Sequence, residues 1–240
     1  MTDNKWRFPG NRHTVISGLD TPDMETFKKD IMSSLAREVC QNSNDAKSKR
    51  SMSPVRVEFK PFELLKSDLP GYEALEKQIN SCLDYSTRCK TKDQKQLQTM
   101  AEKIKNDIIP CLRISDFETT GLNGIYEEQS NFGQLLHGSG MSGKKAGKGG
   151  SKGIGKYASF VVSSYNTVFY STHARNDENG LVEDGYEGIA KLSSADMDNT
   201  TEKTLGIGYY ADSDEIKVIP EELHFLTVNN RVVDKSLNHA

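Results

Sequence analysis

Glu38, Asn42 and Asp45 stand at i, i+4 and i+7, so on a helix they project within an arc of about 60°. A carboxylate, an amide and a second carboxylate on one stripe can offer oxygen to a hard cation such as Mg²⁺ and a base to water. Traced backward, the stripe is occupied by Leu35, Ile31 and Phe27. A face that begins as core therefore ends polar. Burying those groups without partners would cost roughly 1–3 kcal/mol each, and more if they are charged. The pattern leaves two readings open: this end of the helix is solvated, or a polar ligand covers it.

A second chemical signal lies downstream. Residues 138–155 hold eight glycines in eighteen positions, interspersed with Lys144, Lys145, Lys148 and Lys152. So much glycine is costly in backbone entropy. What it supplies is exposed amides and close approach, and with lysine charge that suits a polyphosphate. The bland alternative is a solvated flexible linker. Two familiar patterns here are decoys. Gly138-Ser139-Gly140-Met141-Ser142-Gly143 fits Gly-x-Gly-x-x-Gly, but the lysine- and glycine-rich run after it cannot open the helix a dinucleotide fold needs. Gly150 to Lys156 fits Gly-x-x-x-x-Gly-Lys, but Tyr157 replaces the Ser or Thr that would bind Mg²⁺, and no apolar strand leads in.

Three segments together resemble a known superfamily. Glu38-Val39-Cys40-Gln41-Asn42-Ser43-Asn44-Asp45-Ala46 looks like the asparagine box of the GHKL ATPases, which comprise gyrase, heat-shock chaperones, histidine kinases and MutL. Asn42-Ser43 followed by Asp45-Ala46 is closest to the chaperone branch. Ile114-Ser115-Asp116, then Thr120-Gly121-Leu122, resembles the first glycine box. Gly150-Ser151-Lys152-Gly153-Ile154-Gly155-Lys156-Tyr157-Ala158 resembles the second, which closes over phosphates and opens a helix. Three boxes in the right order, spanning residues 38–158, are far more specific than any one alone.

The resemblance implies an ATPase that works as a nucleotide-gated lid or clamp. Asn42 would hold Mg²⁺, Glu38 would position or deprotonate water, and Asp116 would accept from the adenine amino group. Asp45, Gly121, Gly150, Lys152, Gly153, Ile154, Gly155 and Lys156 would complete the nucleotide contacts. Closure could also build a surface for a second copy of the chain. The sequence departs from the family where Asp-x-Gly-x-Gly is usual: Glu118 replaces one glycine, and Gly121 comes one place late. No convincing late threonine box follows; Thr201 and Thr204 are the candidates. Nothing after residue 160 resembles the transducer domain that supplies a lysine to the γ-phosphate, so the chain reads as the amino-terminal module of something longer. Two other functions compete. One is a histidine-kinase catalytic domain, disfavoured because only His13 precedes the asparagine box. The other is a nucleic-acid binder gripping phosphates through Lys144, Lys145, Lys148, Lys152 and Lys156, with steep salt dependence but no aromatic residues to stack bases.

These residues need elements to position them. Residues 1–22 read as an extended lead-in, and 23–240 as the ATP-binding domain. Apolar residues at four-residue spacing predict a helix from Asp23 to Lys47, opened by Thr21 and Pro22. Alternation predicts a strand over Val55–Phe62, and Cys111–Asp116 reads as another. Between them, residues 70–107 carry the stripes Leu75, Ile79, Leu83 and Leu97, Met100, Ile104, which predict a helical hairpin inserted between the first two boxes. A helix follows at 154–163, then strands at 167–172, 186–192, 205–210 and 216–219. This order predicts an α/β fold of two layers, a mixed β-sheet with helices on one face.

The chain has 240 residues, and 31 Lys and Arg against 34 Asp and Glu give a net charge of −3. That balance excludes a globally basic nucleic-acid binder. No apolar run nears the roughly 20 residues of a membrane span, and the polar amino terminus lacks a signal peptide's apolar core. Cys40, Cys82, Cys89 and Cys111 form no Cys-x-x-Cys pair, which fits free thiols in a reducing cytoplasm.

Overall fold

A computed structural model describes residues 4–12, 15–138, 155–175, 180–198, 200–212 and 219. Three strands carry its layering: β5 (Thr167–Arg175), β6 (Val182–Lys191) and β8 (Ile207–Ala211). Phe169, Tyr186, Ala190 and Tyr210 join one apolar cluster, whereas Val168, Tyr170, Ile189 and Tyr209 join another. Successive strand residues point to opposite faces, so both faces of this sheet are covered. β1 (Lys5–Arg7) pairs with β8 and completes the order β1-β8-β6-β5. Every ladder among the described residues is antiparallel, where a mixed sheet was expected. The cause is local: β6 returns directly alongside β5, and the lead-in segment adds β1 antiparallel to β8.

The expected helical face is formed by α1 (Pro22–Glu25), α2 (Ile31–Asp45), α5 (Asn131–Leu136) and α6 (Tyr157–Val162). They bury Met24, Leu35, Phe132, Leu136 and Phe160 against the sheet. The hairpin anticipated over 70–107 is α3 (Tyr72–Cys89) and α4 (Gln94–Lys103). Of its expected stripes, Leu75, Ile79, Leu97, Met100 and Ile104 are buried in the opposite cluster with Trp6, Tyr186 and Tyr210, whereas Leu83 is only partly buried against it and Cys82 takes the buried place. Such stripes need an apolar partner surface, and the second face of the sheet provides it. The α/β class holds, and the hairpin turns two layers into three.

The single helix expected over 23–47 is two helices. Thr21 caps α1 with Pro22 in its first turn, and Asp30 caps α2 by accepting from the Ser33 amide at 3.4 Å. A fresh acidic cap at Asp30 satisfies the amides of a new helix start. Phe27 still reaches the core from the turn between them.

The lead-in contributes β1 and also β2 (Gly10–Asn11), which pairs with β7 (Lys203–Thr204). β3 (Arg56–Leu65) and β4 (Ile108–Phe117) form a separate ten-residue ladder, from Arg56 opposite Phe117 to Leu65 opposite Ile108. That ladder sets Asp116 opposite Val57, one residue from the strand's end. Among the described residues, no helix is long and apolar enough to cross a membrane.

Candidate functional site

α2 meets the core along Leu35, Val39 and Ser43; Ser43 is only 3% exposed. Glu38 and Asn42 each precede the next member of that line by one residue and follow the last by three, which turns them about 100° from the one and 60° from the other. This corrects the expectation that the polar stripe prolongs the core stripe. The polar residues flank it: Glu38 is half-buried, and Asn42 and Asp45 are exposed.

The carboxyl end of α2 is stitched to the segment that follows β4. The Thr120 amide donates to the Ala46 carbonyl at 2.8 Å, and the Ser48 amide donates to the Glu118 carbonyl at 3.0 Å. Lys47 and Thr119 pair between them as an isolated bridge. Three backbone contacts therefore fix the asparagine-bearing helix against the end of the Asp116 strand. Asp116 itself is exposed, and no hydrogen bond or ion pair among the described residues engages its carboxylate.

Glu118 stands where the family usually has glycine, and it adopts a φ of 64°. Left-handed backbone costs an ordinary residue roughly 1–2 kcal/mol. Here the Glu118 carboxylate also accepts from the Ser51 hydroxyl. Gly121 has a φ of 66°, and a Cβ there would lie 3.0 Å from the Ala174 Cα and 3.1 Å from its Cβ. Both features exclude a side chain, so the displaced glycine serves a close approach to β5. Gly121→Ala should lower the denaturant midpoint without changing the m-value, by about 1–3 kcal/mol of stability. A midpoint unchanged in urea melts would show that this approach is not needed.

Gly155 approaches α2 at Glu38, about two helical turns before that end. A Cβ on Gly155 would overlap the Glu38 carboxylate, with Glu38 Cδ only 2.9 Å away. α6, which begins two residues later, packs on α2. Lys156 was expected to contact phosphate. Its ammonium instead donates to the Leu135 carbonyl at 3.1 Å and to the Gly138 carbonyl, at the carboxyl end of α5. A lysine in that position caps a helix terminus, and burial lowers its pKa. The remaining anticipated contacts, Gly150, Lys152, Gly153 and Ile154, lie outside the described residues, as do Lys144, Lys145 and Lys148. Thr204 is buried at the hairpin face, accepting from the Ala195 amide at 3.0 Å with Gln78 of α3 beside it.

Among the described residues, no group of three or more His, Cys, Asp and Glu is placed to hold a metal. Asn42 could still serve Mg²⁺, which usually takes one or two protein oxygens and completes its shell with waters and substrate phosphates. A cleft of about 320 Å³ opens beside Asn123, Gly124 and Asn131, just past Gly121, but it touches none of Glu38, Asn42 and Asp116. Glu38 is half-buried, and Asn42 and Asp116 are exposed.

Two groups lay beyond sequence reasoning. Glu187 on β6 has a fully buried side chain, and His137 Nε2 stands 3.3 Å from its Oε1. Burial raises the Glu187 pKa, partly offset by His137. Lys191, four residues along the same strand, holds its ammonium 5.1 Å from the Tyr157 ring centre and 5.3 Å from that of Phe160. Burial lowers its pKa to about 8, helped by the charge of Lys156 and opposed by Asp23.

Compared with known proteins, the chain matches no family model, no curated protein and no solved structure.

Proposed function

We propose that the chain binds ATP with Mg²⁺ at the corner between α2 and the end of β4, and hydrolyses it as a nucleotide-gated module. The observation that carries this reading is the convergence of three remote segments. The helix bearing Glu38 and Asn42 is hydrogen-bonded to residues 118–120, and Gly155 lies against Glu38. Those are the three boxes the sequence resemblance picks out.

In this reading Asn42 holds Mg²⁺ through its side-chain oxygen. The cation, when bound, neutralises charge on the phosphates. Glu38 orients a water and takes its proton as the water's oxygen bonds to the γ-phosphorus and the bond to ADP breaks. Phosphoryl transfer depends mainly on positioning and charge, which these residue types supply. Asp116 accepts from the adenine amino group, and its exposed carboxylate is uncommitted for that task.

The base preference tests the reading. Guanine presents a carbonyl oxygen where adenine has its amino group, so a carboxylate at Asp116 would face an acceptor. The lost charged hydrogen bond is worth roughly 1.5–3 kcal/mol, or about 10- to 100-fold in affinity. Unlabelled ATP should therefore displace a fluorescent ATP analogue at much lower concentration than GTP. Asp116→Asn should narrow that gap without inverting it, because the amide can rotate. Equal displacement by both nucleotides in the wild type would remove Asp116 from the base-reading role.

A further inference from the structure

Asp93 ends the loop between α3 and α4, at the capping position of α4. An aspartate there ordinarily accepts from amides of the first helical turn. Asp93 makes no such bond. Its carboxylate crosses to the lead-in segment, where Oδ2 accepts from the Leu19 amide at 3.0 Å. Oδ1 is left with no hydrogen bond or ion pair among the described residues. Asp93 is only 6% exposed, and what it does expose lines a cavity of about 220 Å³. A carboxylate so withdrawn from water, with one oxygen unused, carries a desolvation cost that a donor in the cavity would relieve.

The walls of this cavity are fixed. The Ser194 amide, just past β6, donates to the Ser17 carbonyl at 2.8 Å, and the Ser17 amide donates back to the Ser194 Oγ at 3.0 Å. The Thr91 amide donates to the Ser86 carbonyl at 3.0 Å. A Cβ on Gly18 would stand 2.9 Å from Asp93 Oδ2, so glycine lets the lead-in pass the carboxylate this closely. Tyr85 of α3 is buried and Ile16 is exposed, and together they supply the apolar lining. None of Glu38, Asn42 and Asp116 lines the cavity.

Size and charge narrow what fits. A cavity of about 150 Å³ accepts benzene, so this one has room for one ring or two small fused rings. Lys92 is exposed on its rim. Lys203 and Arg88 hold their charges 4.6 and 5.7 Å from the centre of the Tyr85 ring, and both pair with Asp196. Those three cations face only the carboxylates of Asp93 and Asp196, so an ammonium ligand would be repelled. An uncharged N–H donor avoids that repulsion and still satisfies Oδ1.

We propose that this cavity is a binding site for a small, neutral, planar ring compound carrying an N–H donor. The ring lies against Tyr85 and Ile16, and the N–H bonds to Asp93 Oδ1. Ser193, whose buried Oγ has no partner, belongs to the same wall. This site is independent of the ATP reading and stands or falls without it.

Indole and benzofuran test it. They share size and shape, but benzofuran carries an acceptor oxygen where indole has its N–H. Each is titrated as a probe into the isotopically labelled full chain, with amide shifts followed by NMR. Indole should give saturable shifts at Ser17, Gly18, Leu19, Thr91 and Asp93, and bind at least about tenfold more tightly than benzofuran, as expected for a hydrogen bond to a charged acceptor. Asp93→Asn keeps an oxygen for the Leu19 amide and can turn its NH₂ to the cavity, so the preference for indole should vanish. Ile16→Ala, at a position 62% exposed, should weaken both probes several-fold while keeping the preference. Absence of saturable shifts at these amides, saturation only elsewhere, or equal affinity of the two probes for the wild type overturns the proposal. So does a preference for indole that survives in Asp93→Asn. Should that variant fail to fold, Ile16→Ala decides: a parallel loss for both probes supports the site, and unchanged affinity for both overturns it.

Discussion

Asn42→Ala should weaken Mg²⁺-dependent ATP binding by about 100-fold or more, corresponding to a charge-assisted contact of roughly 3 kcal/mol. Among the described residues no acidic cluster stands ready to replace it, so the cation would lose its main protein oxygen. The fold should not suffer. Asn42 is exposed in the last turn of α2, about 60° from Val39 and 100° from Ser43 on the line that meets the core. Alanine is also the better helix former, by several tenths of a kcal/mol. Loss of binding together with an unchanged or slightly raised melting temperature is the expected signature. Labelled ATP is titrated with and without Mg²⁺. Equal affinity of variant and wild type would take Asn42 out of the site, and loss of binding with a lowered melting temperature would mean that its role is structural.

How far the sequence could be read followed from how strongly each pattern bound its residues to one environment. The α3–α4 hairpin was legible because two apolar stripes at helical spacing have only one stable use, burial against another apolar surface. Which surface they cover was not legible, since a stripe does not name its partner. Continuous spacing from Phe27 to Val39 concealed the break before Asp30, because Phe27 enters the same core from a turn. The polar stripe of α2 was visible but misplaced by one step: Ser43, small enough to be buried, continues the core line that Asn42 was thought to end.

Glu187 was hidden for a different reason. In Tyr186-Glu187-Gly188-Ile189-Ala190-Lys191 the alternation puts Glu187 and Lys191 on one face, and charged residues at alternate positions ordinarily mark a solvent face. Here that face is covered by α5 and α6, so the same residues become a buried acid and a desolvated lysine. No local pattern carries that information. It comes from the third layer, because a sheet covered on both sides has no solvent face to assign.

Glu38→Ala should separate binding from turnover. A positioned general base typically contributes ~10²–10⁴-fold to rate and little to ground-state affinity. Steady-state phosphate release should therefore fall by that factor while the dissociation constant for a non-hydrolysable analogue stays within a few-fold. The geometry makes a second variant informative. Because a Cβ on Gly155 would overlap the Glu38 carboxylate, Gly155→Ala must displace the acid or the loop that approaches it. If Glu38 acts by position, a shift of about 1 Å can cost as much as 10²-fold, so Gly155→Ala should reproduce much of the Glu38→Ala rate loss with the carboxylate still present. Combining the two changes should add little, since a base already removed cannot be misplaced. Additive losses in the double variant would mean that Gly155 acts on the nucleotide independently of Glu38. A Glu38→Ala protein that releases phosphate at the wild-type rate would end the catalytic assignment outright.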